Sequence, residues 1–170
     1  MEFLDVIKAR HSTRSYTDEP VRQEDLDYIM AVGGNAPVSN HAYENLHFTL
    51  VTSPAKVTAV RERLTEGKND PTYGATSYIF VSAKKFPEPV AYQDAACAID
   101  HMGLAATEKG LGSVYIWGCI DRNTQADNNI NALIEVPADF QVIAALAVGQ
   151  AASTHPPKTD LVSNVKSNQI

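Results

Sequence analysis

The chain has 170 residues, 44% of them hydrophobic and 20% charged, which allows a packed core and argues against a disordered chain. With 14 Lys and Arg against 20 Asp and Glu the formal charge is −6, so nucleic acid, which demands a basic face, is not the expected partner. No apolar run reaches the roughly 20 residues of a membrane helix, Met1 leads directly into acidic Glu2 and Asp5, and Cys97 and Cys119 have neither metal-ligand nor CxxC spacing; the expectation is one domain over residues 1–170, cytoplasmic, with reduced thiols and no metal.

Residues 2–9 place Phe3 and Ile7 one helical turn apart and predict a short helix ending near Arg10. The polar run from Ser12 to Glu19 interrupts it, and a second helix is predicted over 22–32, with Leu26, Ile29 and Met30 on its apolar face. Residues 36–44, APVSNHAYE, have no period and read as a loop, followed by a strand over 45–52. Ser53 and Pro54 then suit the N-cap and first turn of a helix through Val57, Val60 and Leu64. After a turn-rich loop, SYIFVSA at 77–83 reads as a strand buried on both faces.

The longest helix is predicted over 90–109, with polar pairs at 93–94, 100–101 and 107–108 as a narrow stripe and Gly110 as its stop. Small residues fill the rest of it, so it is expected to lie buried in the middle of the fold, with Cys97 as core packing. A strand at 113–118, a short helix in NNINALIEV at 128–136 and a buried strand at 142–149 complete the pattern. Beyond Gly149 the chain turns polar and aperiodic, an arm that needs something to lie on. This order predicts an α+β fold around a mixed sheet, and the apolar surplus and free arm suggest a dimer.

The chemistry is expected where the first helix stops. In an extended segment Arg10, Ser12 and Arg14 project to one side, which in an acidic protein marks either surface cations near a helix C-terminus or an anion pocket. The absence of an acidic residue between the two arginines, and the nearby turn NAPVSN, favour the pocket. His101, in the polar stripe of the long helix, reads as a solvated or locally bonded histidine and not a base; His41, His47 and His155 have no metal-ligand spacing, and Cys119 has no evident activating neighbour.

Five segments, in order, carry a resemblance: RHSTRSYTDEPV, GGNAPVSNHAYENLHFTLVT, YGATSYIFVSA, YQDAACAIDHMGLAATEKGLGSVYIWG and ALAVGQA. Together they resemble the nitroreductase-like flavoprotein family, over residues 3 to about 158. The resemblance implies a three-layer fold, with a mainly antiparallel mixed sheet flanked by helices, a buried central helix and an extended C-terminal arm. It implies an FMN enzyme that works as a homodimer, with flavin at the subunit interface. NAD(P)H would reduce the flavin, and a nitroaromatic, quinone or free flavin would take the electrons in a ping-pong cycle without a side-chain acid or base.

By the same resemblance Arg10, His11, Ser12 and Arg14 are flavin ligands, with Arg10 assigned to the ring edge and Arg14 to the phosphate. Ala36, Pro37, Val38 and Ser39 would pack on the ring from the other subunit. The commoner family form has an asparagine and a Gln-Pro-Trp before the following strand; this chain has NHAYENLHF, one residue longer and without tryptophan, which leaves Asn40 or Asn45 to supply the amide. Ile116, Trp117 and Gly118 are candidates for main-chain contact near the flavin N5, and Lys158 for a phosphate contact. Two alternatives stay open: a flavin carrier or sensor with little turnover, and a nucleotide or coenzyme A binding transferase.

Overall fold

The computed structural model describes residues 1–65, 67, 69–84, 89–124, 130–163 and 165–169. The elements in chain order are α1 (Phe3–Ala9), α2 (Gln23–Gly33), β1 (Leu46–Val51), α3 (Pro54–Leu64), β2 (Ser77–Lys84), α4 (Pro89–Glu108), β3 (Gly112–Ile116), α5 (Gly118–Thr124), α6 (Ile130–Leu133) and β4 (Phe140–Gly149). The short helix expected over 128–136 is present as α6, although the first two of those residues lie outside the described ones. The α5 helix was not foreseen: at 7 residues it is too short for a periodic signal. Pro54 opens α3 as expected, but the Ser53 hydroxyl makes no capping bond; only its carbonyl serves the helix, accepting from Val57 N–H.

The sheet runs β1-β2-β4-β3, and every pairing among these strands is antiparallel. The mixed character read from the sequence survives only as an isolated parallel bridge between Ser12 and Ser113. Central β2 alternates Tyr78 and Phe80 to one face and Ile79, Val81 and Ala83 to the other, all of them buried. The second face carries α2 and α4, the first α3, α5 and α6, which makes three layers with two cores. A register shift opposite Val81/Ser82 leaves Ile143 unpaired, so that Ile143 and Ala144 both turn toward the α4 side.

Helix α4 buries Ala95, Ala98, Ile99, Met102, Gly103, Ala105 and Ala106 against α2 and the sheet. It ends at Gly110, whose φ of +74° lets Leu111 N–H reach back to Ala106 O. Within one chain it is a covering helix with one open side: Tyr92, Gln93, Cys97 and Asp100 are exposed. The expectation that Cys97 packs in the core is therefore corrected; Cys119 is the buried thiol.

The segment after α1 crosses the ends of two strands. Thr13 N–H donates to Ser113 O, Thr17 N–H to Gln150 O and Ala152 N–H to Ser15 O, while Tyr16 bridges Ala151. It crosses where Gly112 of β3 faces Gly149 of β4 in register. A Cβ on Gly112 would meet Thr13 Oγ1 at 2.7 Å, and one on Gly149 would meet Tyr16 Cδ1 at 2.8 Å. The glycine pair is thus the slot in which the segment lies, and Thr13, itself buried and short, has nowhere to go. Gly112→Ala is expected to lower the unfolding free energy by about 1–3 kcal/mol, read as a lower urea midpoint; an unchanged midpoint would contradict this packing.

Candidate functional site

Arg10 is the C-cap of α1, its backbone N–H bonded to Val6 O, and it turns extended with ψ 123°. From there the Gly112–Gly149 slot fixes the path of residues 12–17. Arg10 and Ser12 line a groove of about 260 Å³ whose walls include Ile99, Asp100, Val114 and Tyr115. His11 donates from Nδ1 to Ala9 O at 3.0 Å and shares a 3.3 Å contact between Nε2 and Thr13 Oγ1, which locks its ring in place. Arg14 is exposed, donating a long 3.4 Å bond from Nη1 to Ser12 O and lying 6.0 Å from the Tyr73 ring centroid.

The C-terminal arm returns to this segment. The His155 ring sits 4.3 Å from that of His11, and Lys158 N–H donates to Lys8 O at 3.1 Å. The arm therefore runs antiparallel to residues 8–11 and brings Lys158 to the Arg10 end of the motif. Among the described residues none of Lys8, Arg10, Arg14 and Lys158 forms an ion pair. In a chain of charge −6 this is a local concentration of uncommitted positive charge.

At the far end of β3, Trp117 is 52% exposed and Tyr115 45% exposed, in contrast to Ile116, whose side chain belongs to the core beneath. Ile116 has only its main chain to offer a ligand, and Gly118 opens α5 directly after Trp117. Tyr115 was not among the residues singled out from the sequence; its place on the outward face of the strand that pairs with Ser12 is a tertiary fact.

The loop from Ala36 to Asn45 stands apart. Ala36 is buried, Pro37 exposed, Val38 and Ser39 partly covered, and Ser39 N–H donates to Asp94 Oδ1 of α4 at 3.1 Å. Two 3-10 turns, Ser39–His41 and Tyr43–Asn45, replace the irregular loop expected there, and Asn40 and His41 both take left-handed φ near +55°. Asn40 and Asn45 are exposed. No hydrogen bond, ring contact or shared groove among the described residues joins this loop to the Arg10 segment of the same chain. Val38 instead lines a separate cavity of about 140 Å³ with Tyr43, Leu46 and Phe48.

The nitroreductase family model matches residues 7–67 and 55–150. The chain belongs to the nitroreductase family. A protein of Archaeoglobus fulgidus named as an NADH dehydrogenase/NAD(P)H nitroreductase is 27% identical to this family member over 150 residues, 87% of this chain and 84% of that protein. A Bacteroides fragilis nitroreductase solved with bound FMN shares 28% identity and a TM-score of 0.84, over 100% of this chain and 99% of that one. An FMN-dependent nitroreductase of Clostridium difficile shares 26% identity at a TM-score of 0.80, over 98% and 99%. These likenesses bear out the three-layer α+β fold; no helix among the described residues is long and apolar enough to cross a membrane.

The tyrosines of the site give this nitroreductase-family chain a pH signature. Burial pushes the Tyr16 phenol well above its ordinary value, with Tyr78 and Tyr73 adding to the rise and Arg14 opposing it; Tyr115 is raised by burial. The folded state therefore keeps protons that the unfolded chain releases near pH 10. The associated stability is full below about pH 10 and is lost as the pH climbs above it. The urea midpoint is expected to fall between roughly pH 9 and pH 11, and Tyr16→Phe to flatten that fall; an identical pH profile in the variant would contradict the assignment.

Proposed function

We propose that this chain is an NAD(P)H-dependent oxidoreductase with FMN as its cofactor, seated between the protomers of a homodimer, which reduces a small acceptor such as a nitroaromatic, quinone or flavin. Oxidoreductase chemistry and the FMN and NAD(P)H cofactors follow from family membership and from the FMN-bound relative at 28% identity. The observation that carries the reading is the return of the arm onto the first motif, where Lys158 N–H meets Lys8 O, next to a groove lined by Arg10, Ser12 and Asp100 together with the apolar Ile99, Val114 and Tyr115.

The residues fit FMN by chemistry. A phosphate needs guanidinium, ammonium and hydroxyl donors, and Arg10, Lys158 and Ser12 supply one of each. A flat ring needs apolar and aromatic surface, which Ile99, Val114 and Tyr115 offer. The groove of about 260 Å³ falls short of the roughly 300–1,000 Å³ of small-molecule pockets. A half-site completed by a second copy accounts for that shortfall, and the 36–45 loop, separate from the Arg10 segment of its own chain, suits the role with Ala36, Pro37, Val38, Ser39, Asn40 and Asn45. The exposed Phe3 and Leu4 of α1, with Val90 and Tyr92 of α4, are apolar surface for such a contact.

Because Lys158 lies at the Arg10 end, we assign Arg10 and Lys158 to the phosphate and Arg14 to the ring edge, the reverse of the sequence-based assignment. The chemistry that bound FMN supplies is hydride acceptance from NAD(P)H and then electron delivery to the acceptor, in a ping-pong cycle. The chain's own contribution is binding and charge. Arg10, Ser12 and Lys158 anchor the anionic tail; Arg14 presents positive charge to the N1–C2=O edge, which favours the reduced, anionic ring. His11, held from both ring nitrogens, stiffens the turn between these anchors. Main-chain groups of Ile116, Trp117 and Gly118 approach the ring near N5, the glycine because backbone must come close.

Anaerobic titration of the yellow protein with NADH and with NADPH, without acceptor, is expected to bleach the flavin absorbance with at least one of them. Yellow protein that neither nicotinamide bleaches would mark a flavin carrier or sensor, and protein that does not take up FMN would overturn the reading. Loss of one charge-assisted bond costs about 1.5–3 kcal/mol, so Arg10→Ala is expected to weaken FMN binding roughly ten- to a hundredfold in a fluorescence titration. Unchanged affinity would remove Arg10 from the phosphate site.

A further inference from the structure

Beside Arg14 lies a turn built around Asp70. Asp70 accepts hydrogen bonds from Thr72 N–H at 2.8 Å, the Thr72 hydroxyl at 2.6 Å and Gly74 N–H at 3.1 Å, and its carboxylate is 3.7 Å from Arg61 Nε. Thr72 is fully buried. This network forces the next residue, Tyr73, to a φ of +54°, a left-handed conformation that glycine takes freely and an aromatic residue does not. Such strain persists only where the surroundings over-determine it.

Tyr73 is 36% exposed, so core burial offsets only part of that strain. Its ring also faces Arg14, whose guanidinium carbon lies 6.0 Å from the ring centroid, the outer edge of cation–π range. Arg14 has little else to hold it. Among the described residues it has no ion pair, and its one hydrogen bond, to Ser12 O, is 3.4 Å long. A free arginine side chain keeps much of its rotamer entropy, which binding must overcome.

We propose that Tyr73 is a positioning residue for Arg14: the Asp70 turn holds its ring against the guanidinium and so presets the cation that meets the flavin ring edge. The proposal rests on the assignment of Arg14 to the flavin. The ring, and not the phenolic hydroxyl, does the positioning, and the left-handed backbone is what aims it.

The test is a cycle of Tyr73→Gly, Tyr73→Phe, Arg14→Ala and the double variant Tyr73→Gly/Arg14→Ala, read by FMN binding through quenching of flavin fluorescence. Glycine tolerates the backbone at 73, so Tyr73→Gly keeps the turn and removes only the ring, which an unchanged or higher melting temperature verifies. A cation–π contact at an exposed site corresponds to about a two- to fivefold change in affinity. Tyr73→Gly is expected to weaken FMN binding by that factor, Tyr73→Phe to bind as the parent does, and Tyr73→Gly to have no further effect once Arg14 is alanine. Parent-like binding in Tyr73→Gly, weakening by Tyr73→Phe equal to that by glycine, or an equal loss with and without Arg14 would overturn the positioning role while leaving the FMN assignment standing. An Arg14→Ala variant that binds FMN as the parent does would instead remove Arg14 from the site, and the proposal with it.

Discussion

Everything at the site depends on one backbone crossing. Residues 12–17 lie over the cross-strand pair Gly112 and Gly149, tied on either side by main-chain hydrogen bonds to Ser113, Gln150 and Ala152. The absence of two side chains makes room for Thr13 and Tyr16, and backbone hydrogen bonds fix the register. An arginine-rich segment that would otherwise be a solvated loop after a seven-residue helix is thereby pinned to the ends of β3 and β4. The same bonds carry the arm back, since Ala152 is bonded to Ser15 and Lys158 follows six residues later to meet Lys8. Sheet end, motif and arm form one unit, which is how a surface rich in unpaired cations can be preorganised.

The charge distribution follows the same logic. The chain carries an excess of acid, yet among the described residues Arg10, Arg14 and Lys158 meet no carboxylate at ion-pair distance, while Arg22, Lys56 and Arg61 do. Cations left without counterions near apolar and aromatic walls suit a ligand that is anionic at one end and flat at the other. One chain supplies only part of that enclosure. Its 36–45 loop is tied to α4 through Ser39 and Asp94, well separated in contact terms from its own Arg10 segment. The proposed homodimer would have two copies present different halves of one seat.

Much of this was legible in the sequence, for identifiable reasons. Helix α2 and strands β2 and β4 were readable because periodicity and unbroken apolar runs are local properties, and Gly110 marked the end of α4 because only its backbone tolerates φ +74°. The family resemblance named Arg10, Ser12 and Lys158, and the fold brings them to one place. What failed depended on tertiary context. Cys97 looked like core because its neighbours are small, but it sits on the open side of α4. Spacing alone offers no division of roles between Arg10 and Arg14; the division proposed above rests on a hydrogen bond between Lys158 and Lys8, 150 residues apart. The Gly112–Gly149 pairing and the Tyr73 turn are invisible to any local pattern.

The central claim is that the motif held over the glycine pair seats FMN between two copies of the chain. Sedimentation velocity with simultaneous detection of protein and flavin absorbance tests this most directly. The account predicts a single boundary at twice the chain mass, carrying one flavin per chain. Flavin travelling with a single-chain species, or a dimer that sediments without it at saturating FMN, would contradict the claim.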